Sequence, residues 1–360
     1  MDVFDCTTKI ISGAGAVQRL ADFGARRLFL VTDPYFHKNG TARRVAECAN
    51  AEQVEIFHDV RPDPTVELAA EGTARLKAFG ADLIVALGGG SAMDCAKAMA
   101  FFSKGDAKLV AIPTTSGSGS EVTDFAILTH NKVKHPLVDK RLRPCVAILD
   151  SDLLQEMPAS LVADTGFDAI AHAVESYVAR DAGAFSDMLA QEAFRSAYGV
   201  LPASFAGCKQ VRLKAHQAAT MAGLAFTQAG LGLCHAMAHS LGGMFHVPHG
   251  QLNAVLLPSV VATNAHVATA KYAQLARACG MGSTADTIAV RNLRNSLIRL
   301  RRELKLPETL AQAGIAPAAL RSAMNEVVSA TLADPCCKTN PMKVEDFLVR
   351  RILEEVTGRV

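Results

Sequence analysis

The sequence has almost no excess of charge of either sign and no long uncharged apolar run. Its 37 basic and 35 acidic residues are intermixed and leave a net charge of +2, too little to attract nucleic acid or an anionic membrane. The first residues lack the basic start and apolar run of a secretory signal, and no apolar stretch is long enough to span a bilayer. These absences predict a cytoplasmic protein with no nucleic-acid or membrane partner.

The nine cysteines form no CxxC pair, and the chain has no internal repeat and no low-complexity linker. Scattered thiols in odd number suit a reducing compartment better than a disulfide framework. Of the 360 residues, 50% are hydrophobic and 20% are charged, which is ample for two packed domains.

The chain changes character near Pro158. Before it, apolar runs that predict strands (27–32, 82–87, 108–112 and 146–149) alternate with segments that predict helices (66–79 and 92–102). This alternation indicates an α/β domain at residues 1–155, with a parallel sheet covered on both faces. Beyond it, apolar residues recur every three or four positions and predict an all-helical domain at residues 156–360, facing the first across a cleft. The prolines expected between its helices are Pro202, Pro248, Pro258 and Pro307.

Two glycine-rich loops and one aspartate follow the predicted strands. Gly88-Gly-Gly-Ser-Ala-Met-Asp94 lies between a strand and a helix, which favours phosphate binding over a simple tight turn, although the GxGxxG spacing is absent. The polar run 113–123 follows the next strand and is interpreted as a ligand loop rather than a flexible surface loop. Asp33 ends the first clear strand, where an acid either bonds adenosine ribose hydroxyls or caps a helix.

Four of the eleven histidines fall between His235 and His249. Clustering at this density favours a metal site over the alternative that these are core histidines with ordinary hydrogen-bond partners. Spacing alone makes His235 and His239 the natural chelating pair and leaves His246 and His249 open.

A second segment places a carboxylate and an imidazole on one helical face. Asp168 and His172 are four residues apart, so they project from the same side of a helix. Neutral imidazoles with one carboxylate suit a divalent transition metal such as Fe(II) or Zn(II).

At these residues the sequence resembles the iron-dependent (group III) alcohol dehydrogenases over essentially its whole length. The matching blocks are GGGSAMDCAKA, IPTTSGSGSEVT, ADTGFDAIAHAVESYV, GLGLCHAMAHSLGGMFHVPHG and DPCCKTNPMKVEDF. Within the family, the chain is most similar to the 1-propanol and ethanol dehydrogenases of bacterial microcompartments. The fold implied is a Rossmann-like parallel-sheet domain followed by an all-helical metal-binding domain.

The resemblance also implies roles for individual residues. The metal ligands are Asp168, His172, His235 and His249, which replaces the pair favoured by spacing. His239 lies beside the metal as a group that orients substrate or passes a proton, and His246 has no role. The NAD(H) contacts are Asp33, Gly89, Gly90, Ser91, Thr114, Thr115, Ser118 and Lys134. Cys336 and Cys337 stand where relatives often have one cysteine and a threonine, and this pair is interpreted as incidental.

The activity implied is hydride transfer between NAD(H) and a small primary alcohol or aldehyde. Asp33 predicts a preference for NADH, because a carboxylate repels a 2′-phosphate. The segment 231–250 carries no Lys or Arg, which favours a neutral substrate. The alternatives are a polyol dehydrogenase, a dehydroquinate-synthase-like lyase and, from another class, a non-catalytic scaffold. The resemblance further implies a homodimer or larger homo-oligomer and raises a bacterial microcompartment, with its enzymes and shell, as location and partners.

Overall fold

The computed structural model describes residues 4–131 and 133–358. It divides into two compact units, one covering Asp5–Met157 and the other beginning at Pro158. Among the described residues, no helix is both long enough and apolar enough to cross a membrane.

The first unit is built on a parallel sheet. Its strands are β1 (Lys9–Gly13), β2 (Arg27–Val31), β3 (Gln53–Phe57), β4 (Leu83–Gly88), β5 (Lys108–Pro113), β6 (Phe125–His130), β7 (Val133–Val138) and β8 (Val146–Asp150). Its α-helices are α1 (Pro34–Lys38), α2 (Thr41–Glu47), α3 (Val66–Phe79) and α4 (Gly90–Ser103). Six strands pair in parallel in the order β1-β8-β5-β4-β2-β3, while β6 and β7 form a separate antiparallel hairpin.

Both faces of the sheet are buried, as the apolar runs predict. Along β2, Leu28 and Leu30 pack on one side with α2, whereas Phe29 and Val31 pack on the other side with α3 and α4. All four side chains are fully buried, because successive residues of a strand point to opposite faces. A strand covered on both faces needs an apolar residue at every position, which confirms the parallel-sheet prediction.

The second unit contains helices and no strand among its described residues. Its helices are α5 (Ala159–Val178), α6 (Ala184–Phe205), α7 (Arg212–Ala229), α8 (Leu233–Phe245), α9 (His249–Ala278), α10 (Asp286–Glu303), α11 (Pro317–Ala333), α12 (Cys336–Thr339) and α13 (Asp346–Thr357). This confirms the predicted class of an α/β domain followed by an all-helical one.

Two of the four prolines expected between helices lie inside them instead. Pro248 and Pro307 do lie between helices, but Pro202 is inside α6 and Pro258 inside α9. Proline has no N–H to give to the carbonyl four residues earlier, which for Pro258 is that of Ala254. Arg301 donates from Nη1 to this carbonyl at 3.3 Å, so the acceptor remains satisfied and the helix continues.

Candidate functional site

The first unit brings the predicted coenzyme residues to one edge of its sheet. Strand β4 lies between β2 and β5, so the loops that follow these three strands are neighbours at the carboxyl edge, where open α/β sheets bind ligands. The amide of Thr114 donates to the carbonyl of Gly88 at 2.9 Å and joins two of the loops.

The two glycine-rich loops lie against each other. A Cβ added to Gly89 would lie 3.4 Å from the side chain of Thr115, and one added to Gly90 would lie 3.4 Å from that of Ser118. Gly89 is the residue before α4, and no side chain of the described residues caps the N-terminus of that helix. The amides of Gly90 and Ser91 at a helix N-terminus favour an anion such as a pyrophosphate.

Asp33 caps α1 with one carboxylate oxygen and turns the other toward the first glycine-rich loop. Oδ1 accepts the amides of Tyr35 at 2.8 Å and Phe36 at 3.1 Å and so caps α1. Oδ2 faces the first glycine loop, since a Cβ on Gly88 would lie 3.7 Å from it. The cap and the position beside the loop therefore coexist.

A buried lysine, not foreseen from the sequence, ties the second loop to α4. Lys97 is 1% exposed, and its Nζ donates to Ser120 Oγ, Thr123 Oγ1 and the Phe125 carbonyl, each at 2.9 Å. Asp94, one turn earlier on α4, accepts from Ser120 Oγ at 2.8 Å. Burial lowers the pKa of Lys97 to about 8, although Asp94 opposes that shift.

Lys134 lies on β7 of the separate hairpin, and this hairpin contacts α4, because the amide of Ile127 on β6 donates to Asp94 Oδ2 at 3.1 Å. Its Nζ is 2.7 Å from Asp63 Oδ1, and 35% of its side chain is exposed. Burial raises the pKa of Asp94, and the charge of Lys134 is close enough to oppose that rise, so Lys134 lies near the joined loops.

The second unit gathers the predicted metal ligands from three helices. Helix α5 carries Asp168 and His172, α8 carries His235 in its first turn, and α9 begins at His249. Donor atoms of Asp168, His172 and His235 all lie within 4.8 Å of one another, and all three residues are buried. We call the four predicted ligands, Asp168, His172, His235 and His249, the Asp168 centre.

The separations in the Asp168 centre fit a shared ion. Asp168 Oδ1 is 3.7 Å from His235 Nε2 and 3.6 Å from His249 Nε2, and Asp168 Oδ2 is 4.0 Å from His172 Nδ1. Two ligands on one tetrahedral ion lie about 3.4 Å apart, so small shifts would complete the coordination. The donor set of one carboxylate and three imidazoles also suits a divalent transition metal.

Glu175 orients His235 and caps the helix that carries it. Glu175 Oε2 accepts from His235 Nδ1 at 2.7 Å, which directs Nε2 of that ring toward Asp168. The same carboxylate accepts the amides of Gly232 and Cys234 at the start of α8, at 3.1 and 2.7 Å. Carboxylate partners of this kind fix the tautomer of metal-binding histidines.

Electrostatics keep the Asp168 carboxylate ionised and raise the pKa of His235. Burial raises the pKa of the Asp168 carboxyl, but the neighbouring imidazoles, above all His172, lower it further, to well below its usual range. Burial lowers the pKa of His235, yet its hydrogen bonds to Asp168 and Glu175 outweigh this and raise it to about 9. Asn253 Nδ2 donates to Asp168 Oδ1 at 2.7 Å and holds the carboxylate in place.

Gly250 brings the start of α9 close enough for His249 to reach Asp168. A Cβ at position 250 would lie 1.8 Å from the carbonyl oxygen of Asp164 on α5. Only glycine permits this approach of the two helices.

His239 sits one turn after His235 on α8 and has a different partner. Its Nδ1 is 2.9 Å from Asp334 Oδ2, while its ring stacks on His249 with centroids 5.2 Å apart. His246 is exposed and ends α8 in the left-handed conformation. The geometry thus groups His249, rather than His239, with Asp168.

The missed partners of the two sites are Glu175, Asn253, Asp334, Asp94 and Lys97. Asp94 and Lys97 could have been found from the sequence, because an acid and a lysine three residues apart on the helix after the glycines lie on the same face. The other three had none, since they contact residues 60 to 95 positions away.

A parallel sheet with glycine-rich loops, together with a separate carboxylate and imidazole centre, is typical of metal-dependent dehydrogenases. Comparison with known families agrees. The family described as "Iron-containing alcohol dehydrogenase" matches residues 7–151, and "Fe-containing alcohol dehydrogenase family, C-terminal" matches residues 162–357. The chain belongs to the iron-containing alcohol dehydrogenase family and is an oxidoreductase that acts on alcohols.

Individual relatives span the chain. The 1-propanol dehydrogenase PduQ of Salmonella typhimurium is 36% identical, and the match covers 99% of this chain and 100% of the relative. The NADPH-dependent butanol dehydrogenase of Clostridium saccharobutylicum is 35% identical over 84% of this chain and 83% of its own. The solved structure of the iron-containing alcohol dehydrogenase from Thermococcus thioreducens superposes with a TM-score of 0.91, at 31% identity, covering 98% of this chain and 99% of that one.

Proposed function

We propose that this alcohol dehydrogenase interconverts a small neutral primary alcohol and its aldehyde, with NAD(H) as coenzyme and Fe(II) at the Asp168 centre. In this proposal residues 1–155 bind the coenzyme and residues 156–360 hold the metal. The observation that carries it is the convergence of one buried carboxylate and three imidazoles, with Glu175 fixing the ring of His235. Zn(II) accepts the same donors, so the identity of the metal is part of the test.

The metal would act as a Lewis acid toward the substrate oxygen, and NAD(H) would supply or accept the hydride. The protein's own contribution is to hold the donors. Glu175 presents His235 Nε2, Asn253 steadies Asp168 Oδ1, and Gly250 lets His249 approach. Each acts before substrate arrives, which reduces the rearrangement needed during the reaction.

His239 is the proposed group for exchange of the substrate proton. Its Nδ1 is committed to the Asp334 carboxylate, so Nε2 is the nitrogen left for a substrate oxygen. Its side chain is 37% exposed, which allows the proton to continue to solvent.

Coenzyme binding is proposed for the joined loops of the first unit. Gly89, Gly90 and Ser91 would place helix amides at the pyrophosphate. Neighbouring hydroxyls and Lys134 would contact the rest of the coenzyme, the hydroxyls being those of Thr114, Thr115 and Ser118. Asp33 would bond the ribose hydroxyls and favour NADH over NADPH. Because the butanol-active relative is named as NADPH-dependent, this preference must be measured for this chain.

A small neutral substrate is supported by charge and by the relatives. No Lys or Arg stands in segment 231–250, so this segment offers no cation to a phosphate or carboxylate. The two curated relatives described above are named for 1-propanol and butanol. The family resemblance of the sequence further leads us to propose that the protein works as a homo-oligomer among the enzymes of a microcompartment.

The function is tested by oxidation of NADH and NADPH with the Fe(II)- and Zn(II)-loaded protein against a panel of aldehydes. The panel runs from acetaldehyde to butyraldehyde and includes lactaldehyde and glyceraldehyde. We expect the highest kcat/KM with a simple aldehyde and NADH. Greater efficiency with lactaldehyde or glyceraldehyde would instead identify a polyol dehydrogenase.

The ligand assignment is tested by metal analysis of purified variants. His249→Ala removes a proposed coordinate bond, so metal content and activity should both collapse. His239→Ala should retain most of the metal while turnover falls about 10–100-fold. If His239→Ala loses the metal and His249→Ala keeps it, the pair favoured by helical spacing is correct.

A further inference from the structure

A second cluster of metal-binding side chains lies beside the Asp168 centre and shares no residue with it. It consists of His239, Asp334 and Cys336, and we call it the thiol cluster. One donor atom from each residue lies within 4.8 Å of the other two, and all three residues are half-buried. The sequence had suggested that the cysteine pair is incidental because no partner was visible, but the structure supplies two partners from distant positions.

We propose that the thiol cluster is a separate binding site for a soft or borderline divalent cation such as Co²⁺, Zn²⁺ or Cd²⁺. The donor set contains sulfur, nitrogen and oxygen, which is the combination that such ions prefer. The Asp168 centre contains no sulfur donor, so the two sites differ in chemistry. Three protein donors with partial exposure leave a fourth position for water.

The cluster is held close to a binding geometry. His239 Nδ1 and Asp334 Oδ2 are 2.9 Å apart and need to separate only to about 3.4 Å around a tetrahedral ion. Asp334 Oδ1 accepts the backbone amide of Cys336 at 2.9 Å, which fixes the turn between the two residues. The rearrangement needed for binding is therefore small.

The adjacent cysteine provides a natural comparison. Cys337 Sγ lies 3.0 Å from the carbonyl oxygen of Thr331 and is outside the cluster. Burial, with Asp334 nearby, raises the pKa of Cys336 well above its usual value, so the thiol stays protonated without a cation. On binding, the Sγ and Nδ1 protons leave to solvent and both atoms coordinate the ion.

Occupation of the thiol cluster would also act on catalysis. An ion on Nδ1 removes the hydrogen bond through which Asp334 orients His239, the group proposed to exchange the substrate proton. This consequence rests on the proposed function, whereas binding itself does not.

The test is a Co²⁺ titration of the full chain, in which the absorption spectrum and the amount of bound Co²⁺ are both measured. A cobalt–thiolate bond gives a charge-transfer band in the near ultraviolet, which imidazole and carboxylate ligands do not give. We expect the band in the parent and in Cys337→Ser. Cys336→Ser should lose the band and should bind one equivalent of Co²⁺ less than the parent. Asp168→Ala should keep the band, because it alters only the other site.

The proposal is overturned if the parent shows no band, or if the band survives in Cys336→Ser. Loss of the band in Asp168→Ala would likewise overturn the proposal that the thiol cluster is separate from the Asp168 centre. A failure of the proposed function has a different signature, since it removes aldehyde reduction by the Fe(II)-loaded protein and leaves the cobalt–thiolate band in place.

Discussion

The four hydrogen bonds of Glu175 make it the most informative single position of the second unit. Oε1 accepts the amide of Cys234, and Oε2 accepts the amides of Gly232 and His235 and the ring Nδ1 of His235. Glu175 is 2% exposed, so water cannot replace a lost partner. The perturbation is Glu175→Gln, which keeps the size of the side chain and removes its charge.

Glutamine has one acceptor oxygen and one NH₂ group, so it cannot serve all four donors. With its oxygen at the Oε2 position it keeps three bonds, and its NH₂ group then faces the amide of Cys234. A lost hydrogen bond to a charged group is worth about 1.5–3 kcal/mol, and a buried unsatisfied amide costs about 1–3 kcal/mol. We therefore expect the free energy of unfolding to fall by about 3–5 kcal/mol, and metal affinity to fall about 10–100-fold.

The assay is urea unfolding followed by circular dichroism, with metal affinity measured separately on the folded protein. Glu192→Gln is the matched control, since Glu192 is also helical but 39% of its side chain is exposed beside Arg195. Its unfolding free energy should change by less than about 1 kcal/mol. Equal stability of Glu175→Gln and the parent, with unchanged metal affinity, would refute the reasoning.

Three further outcomes are expected. Asp33→Asn keeps the oxygen that caps α1 but removes the charge, so the kcat/KM values for NADH and NADPH should converge; a parent enzyme that already uses both equally contradicts this role. Lys97→Met should flatten the pH dependence of the free energy of unfolding between pH 8 and 10.5. In that range the lysine binds more protons in the unfolded parent than in the folded parent, so parent stability rises with pH. Urea unfolding that gives the same change of stability with pH in both proteins would disprove this. Gly250→Ala should displace His249 and reduce both metal content and stability, since the new Cβ meets the Asp164 carbonyl; normal metal content would show that the helices can separate freely.

The parts of the fold that were predictable are those with continuous apolar runs. Strands β2, β4, β5 and β8 are buried at nearly every position, so their apolar runs alone identified them. Strands β1 and β3 lie at the two edges of the sheet, and most of their residues are exposed or half-exposed. An edge strand needs no apolar run, because only part of its surface faces the core.

The histidine cluster shows why spacing alone does not identify a metal site. Helical spacing places His235 and His239 on one face of α8, but His249 belongs to another helix. Its approach to Asp168 depends on a glycine that packs against the backbone of α5. Contacts between distant segments leave no periodic signal in the sequence, so the family resemblance was needed to suggest His249.

The two histidines of α8 also show what decides the chemistry of an imidazole. Each has its Nδ1 within 2.9 Å of a carboxylate, Glu175 for His235 and Asp334 for His239. For His235, that bond turns Nε2 toward the oxygen of Asp168, a hard donor suited to Fe(II). For His239, the carboxylate itself neighbours a thiol, a soft donor suited to Co²⁺ or Zn²⁺. One helical turn therefore separates the two sites that we propose, and Cys336→Ser should abolish metal binding at the thiol cluster while leaving the Asp168 centre intact.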